Sequence, residues 1–147
     1  MFYDAIFVYP PITEGKKTNF SFAPLGVIYV ATFLKQNGFN VKFIDAVINN
    51  LTNKEIVDII IKEKPLILGI SSMTCQIVNS IKIAEGIKSL DSNIKIAIGG
   101  AHISSTIDEI YKFSSCSDFL IYGEGEYTFN ELVKNIKEDE CDFYAIN

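Results

Sequence analysis

Apolar positions along this chain fall into short, nearly continuous runs separated by longer stretches with helical spacing. Residues 3–9 form the first run and predict a strand, closed by Pro10-Pro11 because proline has no N–H for a central ladder. A polar loop follows through residues 13–19. Pro24 suits a first helical position, and Val27, Val30, Ala31 and Leu34 recur at i, i+3, i+4, i+7, one face of a helix. Gly38 reads as its C-terminal cap. A second strand spans residues 41–44 and ends at Asp45. Thr52 with Glu55 three positions later matches a capping box, ahead of a buried stripe of Ile56, Ile59 and Ile60 that Pro65 stops.

The third run, residues 66–70, is apolar almost throughout, as expected of a strand covered on both faces. Ile77, Ile81, Ala84 and Ile87 mark the third helical stripe. A fourth strand at residues 94–98 leads into Gly99-Gly100 and a helix marked by Ile103, Ile107 and Ile110. A fifth strand at residues 119–122 leads into Gly123-Glu124-Gly125 and a helix marked by Phe129, Leu132, Val133 and Ile136. Five such β-α units predict an α/β fold, a flavodoxin-like doubly wound parallel sheet of order 2-1-3-4-5 with helices on both faces. Residues 1–137 are expected to form one domain, and residues 138–147 an acidic tail or the start of a linker.

Composition narrows the function classes. The chain of 147 residues carries a net charge of −5, and all its cations are lysines. Such a chain has no basic footprint for nucleic acid or an anionic membrane, and without arginine it has no bidentate fork for phosphate. Cys75, Cys116 and Cys141 are odd in number and widely spaced, which predicts reduced thiols rather than a disulfide framework or a zinc site. The N-terminus has no basic segment of a signal peptide, and no apolar run approaches the roughly 20 residues of a membrane helix. The expected location is the cytoplasm.

In a sheet of this kind ligands bind beyond the carboxyl ends of the strands, near the topological switch. The candidate residues are therefore those that follow each strand. Ser71, Ser72 and Thr74 offer three hydroxyls to a ligand nitrogen or phosphate, and one of them is expected to cap the following helix. Gly99-Gly100 permits close approach of a ligand to the backbone or a tight turn. His102, the one histidine, has no second His or Cys-x-x-Cys beside it, so no metal site is assigned and it is placed near the pocket rim. Gly123-x-Gly125 follows the fifth strand rather than the first, and Thr128 stands where a dinucleotide fingerprint needs glycine. Glu124 and Glu126 sit where a helix dipole favours negative charge. Gly15-Lys16-Lys17-Thr18 lacks both the earlier glycine and the hydroxyl of a P-loop. Ser71, not Asp, ends the third strand, which excludes a phosphate-receiver domain. No Ser/His/Asp order, activated thiol or pair of carboxylates with divided roles is present, so no catalytic residue is assigned.

Several of these pieces together resemble a known family. They are Pro24-Leu25-Gly26-Val27-Ile28-Tyr29, Phe43-Ile44-Asp45, Gly69-Ile70-Ser71-Ser72, Ile98-Gly99-Gly100-Ala101-His102, and the run from Asp118 through Gly123-Glu124-Gly125-Glu126. The pattern resembles the cobalamin-binding domain at the N-terminus of many radical S-adenosylmethionine enzymes, the type found in corrinoid-dependent methylases and the anaerobic magnesium-protoporphyrin monomethyl ester oxidative cyclase. The resemblance covers residues 3–136, and the glycine-acid run at residues 123–126 is its most specific part. The wider cobalamin family carries an Asp-x-His-x-x-Gly run whose histidine binds cobalt. Set against it, residues 45–50 keep Asp45 but have Val47 for the histidine and Asn50 for the glycine.

What the resemblance implies is a corrinoid-binding module that holds cobalamin base-off without a histidine ligand, for methyl transfer or related radical chemistry. It implies that Ser71, Ser72 and Thr74 bond the nucleotide tail beside the third strand, with His102 nearby. Gly99 and Gly100 let the tail pass, Asp45 and Val47 lie under the corrin, and Gly123, Glu124 and Gly125 shape the far wall. The cluster-binding Cys-x-x-x-Cys-x-x-Cys of a radical domain is absent from this chain. S-adenosylmethionine and the iron–sulfur cluster are thus expected on a separate catalytic domain in cis, this chain being an excised N-terminal domain or a stand-alone binding protein. The competing expectations are a docking domain whose pocket no longer takes cobalamin, and a flavin- or nucleotide-binding relative of flavodoxin.

Overall fold

The structure, a computed structural model, describes residues 2–16, 22–106 and 115–138. Five parallel strands, β1 (Ala5–Tyr9), β2 (Val41–Asp45), β3 (Ile67–Ser71), β4 (Lys95–Gly99) and β5 (Phe119–Leu120), pair in the order β2-β1-β3-β4-β5. The order and the doubly wound class agree with the sequence pattern. The chain leaves β1 toward β2 and returns to β3 on its other side, so the topological switch lies between β1 and β3. The helices are α1 (Leu25–Gln36), α2 (Asn53–Glu63), α3 (Ile77–Leu90), α4 (Ala101–Ser105) and α5 (Glu126–Lys137). Among the described residues no helix is long and apolar enough to cross a membrane.

The period-2 alternation of each strand divides the core in two. Ile6, Val8, Leu68, Ile70, Ile96 and Ile98 face α2, α3 and α4. Ala5, Phe7, Ile67 and Ala97 face α1 and α5. Branched aliphatics fill the first layer, where burying each isoleucine contributes about 1.5–3 kcal/mol. The second layer carries small residues on the sheet, Ala5 and Ala97, beside the Phe7 ring, with the aromatic Phe129 above them. Phe7 of β1 and Phe129 of α5 meet there with ring centroids 4.6 Å apart. This asymmetry between layers leaves room on one face of the sheet.

Local signals in the sequence explain the helix ends. Thr52 Oγ1 accepts from Glu55 N, and Glu55 Oε2 accepts from Thr52 N at 2.8 Å, completing the capping box. The Thr52 N–H and the Thr52 hydroxyl, both donating to Oε2, hold the Glu55 carboxyl below its ordinary pKa. Gly38 has φ +88°, and Phe39 N donates to Leu34 O while Gly38 N donates to Lys35 O, a Schellman ending that glycine makes cheap. Lys64 closes α2 in a left-handed conformation with φ +48°, since Pro65 disfavours a further helical residue.

Some expected boundaries shift. The first strand starts at Ala5, because Asp4 turns its carboxylate to Asn40 N at 2.8 Å and to Lys137 Nζ at 2.9 Å. Pro24 is the N-cap of α1 rather than its first residue. β5 is reduced to Phe119–Leu120. The buried face of α3 is Asn79, Ser80, Ile83, Ala84 and Ile87, so Ile77 and Ile81 are half-buried at its margin. Ile107, Ile110 and residues 139–147 lie outside the described residues.

Candidate functional site

The layer of small residues opens into a cleft at the carboxyl end of the sheet. In register across the sheet, Phe7 pairs with Gly69, and Gly69 with Ala97. Two residues further along, Ser71 pairs with Gly99. Between these rows lies a cavity of about 120 Å³, bounded by Val27 and Val30 of α1 and by Phe129 of α5. Glycine in a buried strand marks a close approach, and Gly69 shows why. A Cβ at position 69 would lie 2.5 Å from Phe7 Cδ1 and 3.0 Å from Phe129 Cζ. The Phe7 ring therefore occupies the space over Gly69 and forms an aromatic floor.

The mouth is built differently. Gly26, in the first turn of α1, lines it with open space beside its Cα. Gly99, Gly100, Gly123 and Gly125 line the opposite wall, with Glu124, Glu126 and the half-buried Ser71 as its polar side chains. Gly123 N donates to Ser104 Oγ at 3.0 Å, which ties the loop after β5 to α4. Gly100 has φ +101°, and its Cβ would lie 2.8 Å from both Ser72 N and Ser72 O. This glycine thus lets the loops after β3 and β4 pack backbone to backbone, where Ser72 N donates to Gly99 O and His102 N to Ser72 O.

The structure brings Ser71, Gly99, Gly100, Gly123, Glu124 and Gly125 of the expected site residues to this cleft. It places the others elsewhere. Ser72 is buried, with its hydroxyl 3.0 Å from Ser80 Oγ. Thr74 is exposed, and its Oγ1 lies 3.2 Å from Nδ1 of His102, which is buried in the first turn of α4 rather than standing on the rim. Neither Ser72 nor Thr74 caps α3, whose N-cap is Gln76. Asp45 is buried at the end of β2, where Oδ1 accepts from Val47 N and Ile48 N at 3.0 Å each. Its carboxylate shapes its own turn, and Val47 packs beneath it, buried.

Sequence reasoning missed the cleft floor and a buried amide network beside the switch. Gln76 Nε2 donates to Pro10 O at 2.7 Å, and Gln76 Oε1 accepts from Met73 N at 3.0 Å. Asn79 Nδ2 donates to Pro11 O at 2.8 Å and its Oδ1 accepts from Asn53 Nδ2 at 3.0 Å. These amides anchor the loop leaving β1. The available signal was two amides, at positions 76 and 79, set among the apolar positions of a helix. Tyr9 stands at the same end of β1 with its hydroxyl 3.8 Å from Met73 Sδ, and burial pushes its phenol above the ordinary pKa. Among the described residues no group of three or more His, Cys, Asp or Glu could hold a metal.

Several exposed large apolar side chains lie at this end of the molecule, while Phe2, ahead of β1, and Leu90, at the end of α3, lie away from it. Leu25, Ile48, Met73, Tyr122 and Tyr127 sit in loops after strands or in the first turns of helices, and Tyr29 in the second turn of α1. Exposed apolar patches of this kind mark sites of contact. A doubly wound parallel sheet with a glycine-walled cleft beyond its strand ends defines the flavodoxin-like class of cofactor-binding domains. The profile of the B12 binding domain family matches residues 15–133, and the chain belongs to that family.

Relatives agree with this placement. An uncharacterized methyltransferase of Pyrococcus horikoshii is 34% identical over 110 residues, covering 75% of this chain and 24% of the relative. The anaerobic magnesium-protoporphyrin IX monomethyl ester cyclase of Rubrivivax gelatinosus is 27% identical over 135 residues, covering 90% of this chain and 24% of the relative. The chain thus spans about a quarter of the length of the curated relatives it matches. Among solved structures, the radical S-adenosylmethionine methyltransferase TsrM from Kitasatospora setae, with cobalamin and a [4Fe-4S] cluster bound, superposes with a TM-score of 0.79 at 17% identity. That match covers 99% of this chain and 28% of TsrM, and at this identity it is a likeness of fold.

Proposed function

We propose that this chain is the corrinoid-binding module of a larger cobalamin-dependent radical S-adenosylmethionine enzyme, with its domain at residues 1–137 and an acidic tail or the start of a linker at residues 138–147. The observation that carries the reading is the cleft between the Phe7-Gly69-Ala97 row and the strand ends. Its volume of about 120 Å³ is close to that of a cavity that takes benzene, roughly 150 Å³. It admits the six-membered ring of a tail base edge-first, while the rest of the tail and the corrin have to remain outside. Bound cobalamin supplies a carrier for a methyl group or for related radical chemistry.

The chain's own residues supply the binding. Gly26 keeps the entrance free of side chains, Gly99 and Gly125 let the Ile121 side chain pack close against them, and Val27, Val30 and Phe129 exclude water. The Ser71 hydroxyl, which has no hydrogen-bond partner among the described residues, serves a ring nitrogen or a sugar hydroxyl at the mouth. Glu124 and Glu126 accept from sugar hydroxyls or amide N–H groups there. The cofactor sits base-off and without a histidine ligand, since position 47 is valine and the one histidine, His102, is buried against Thr74. An open cleft favours this reading over a docking domain with a filled pocket. Methyl transfer, as in the methyltransferase relative of Pyrococcus, is the chemistry favoured, with the cyclase chemistry of the Rubrivivax relative second.

A titration with hydroxocobalamin and methylcobalamin, followed by desalting and an absorption spectrum, tests this. The chain retains corrinoid with a base-off spectrum. Gly26→Trp fills the mouth from a helical position with nothing within 4 Å of its Cβ, so retention is lost while the thermal midpoint holds. Absence of retention by the unmodified chain, or unchanged retention by Gly26→Trp, contradicts the proposal.

A further inference from the structure

Resting on that reading, we infer that the cleft floor selects the terminal base of the corrinoid tail, taking a carbon-edged ring such as dimethylbenzimidazole and disfavouring a purine. The polar side chains that line the cleft are Ser71, Glu124 and Glu126, and all three stand at the mouth. The floor lies two residues down the strands, about 6.6 Å at 3.3 Å per residue. It consists of the Phe7 and Phe129 rings, the side chains of Val27 and Ala97, and Gly69. Four of these residues are at least nine-tenths buried: Phe7 at 3%, Val27 at 5%, Ala97 at 1% and Phe129 at 4% exposure. The backbone N–H and C=O groups of this row belong to the parallel ladder, so the floor has neither donor nor acceptor to offer.

A tail base enters with its sugar-bearing five-membered ring toward the mouth, so its six-membered ring goes deepest. In dimethylbenzimidazole that deep ring is carbon with two methyl groups, which matches the floor, and its free nitrogen stays level with Ser71. In adenine the deep ring carries two nitrogens and an exocyclic amine. Each of these would be stripped of water against carbon with no partner. A hydrophobic pocket rejects an added polar group by about a hundredfold, and partial hydration at the mouth lowers the expected discrimination to about tenfold or more.

The experiment compares dissociation constants of the full chain for three corrinoids by absorbance titration or calorimetry: cobalamin, its adenine-tailed counterpart, and cobinamide, which has no base. The expected result is cobalamin tighter than the adenine-tailed form by about tenfold or more, with cobinamide no tighter than the latter. Ala97→Ser, which puts a hydroxyl on the floor, narrows that ratio. Equal affinity for the two tailed forms, both above cobinamide, or a ratio unchanged in Ala97→Ser, overturns the selectivity and leaves the cleft as the tail site. Equal affinity for all three, or binding of none, instead overturns the placement of the tail in the cleft, and the selectivity with it.

Discussion

Replacing Gly69 by alanine tests the construction of the cleft floor without any ligand. The new Cβ would lie 2.5 Å from Phe7 Cδ1 and 2.6 Å from Cε1, distances that side-chain carbons do not hold. The Phe7 ring cannot swing away freely, because it is buried and packed against the tilted Phe129 ring, with centroids 4.6 Å apart. Overpacking of this kind costs about 1–3 kcal/mol, which for a domain of this size lowers the thermal midpoint by roughly 3–10 °C. Phe7→Leu removes the ring and loses packing, at less than the roughly 3–5 kcal/mol of truncation to alanine. In the double variant the clash is gone, so the two costs do not add and their coupling is about 1 kcal/mol or more. Urea denaturation of the four proteins, with m-values compared, measures the cycle. A Gly69→Ala protein within about 0.5 kcal/mol of the parent, or costs that add within about 0.3–0.5 kcal/mol, refutes the account of the floor.

Other positions make independent predictions. Gly100→Ala forces φ +101° on a residue with a Cβ and sets that carbon 2.8 Å from the Ser72 backbone; a loss of about 2 kcal/mol or more in urea unfolding is expected, and a neutral result contradicts the close packing of the two loops. Gln76→Leu strands the part-buried Met73 N–H and the buried Pro10 carbonyl, which costs about 1–3 kcal/mol and removes hydrogen-exchange protection at the Met73 amide. Cys116 is buried, and desolvation raises its thiol above the ordinary value of 9.0, whereas Cys75 is exposed. Iodoacetamide at mild alkaline pH therefore modifies Cys75 in the folded protein and Cys116 only after denaturation, as read by peptide mass spectrometry. Because the folded pKa of Cys116 is the higher one, its contribution to stability is complete below pH 9 and declines as pH rises through the folded value.

The sheet was legible because its strands are apolar runs bounded by strong punctuation. Pro10-Pro11, Gly38, the Thr52–Glu55 box and Pro65 each act locally, and each starts or ends an element within a residue or two of where the pattern put it. The cleft mouth was legible for a related reason, since in a parallel sheet the residues after the strands must meet at one edge. The floor was not, because it depends on strand register. Nothing in the sequence alone aligns Phe7 with Gly69 and Ala97, three positions spread over ninety residues. The hydroxyls of Ser72 and Thr74 were misplaced because sequence order says nothing of their direction. Ser72 turns inward to Ser80, and Thr74 toward His102. Asp45 was read toward a ligand, while its oxygens meet the two backbone N–H groups that close its own turn.

The central claim is that this chain holds cobalamin with the tail base in the cleft and no histidine on cobalt. Electron paramagnetic resonance of cob(II)alamin bound to the purified protein tests it most directly, because an axial nitrogen splits each cobalt line into three. The account predicts a protein-bound spectrum without that triplet, lost in Gly26→Trp. A triplet in the bound spectrum, from the cofactor's own base or from His102, would contradict it.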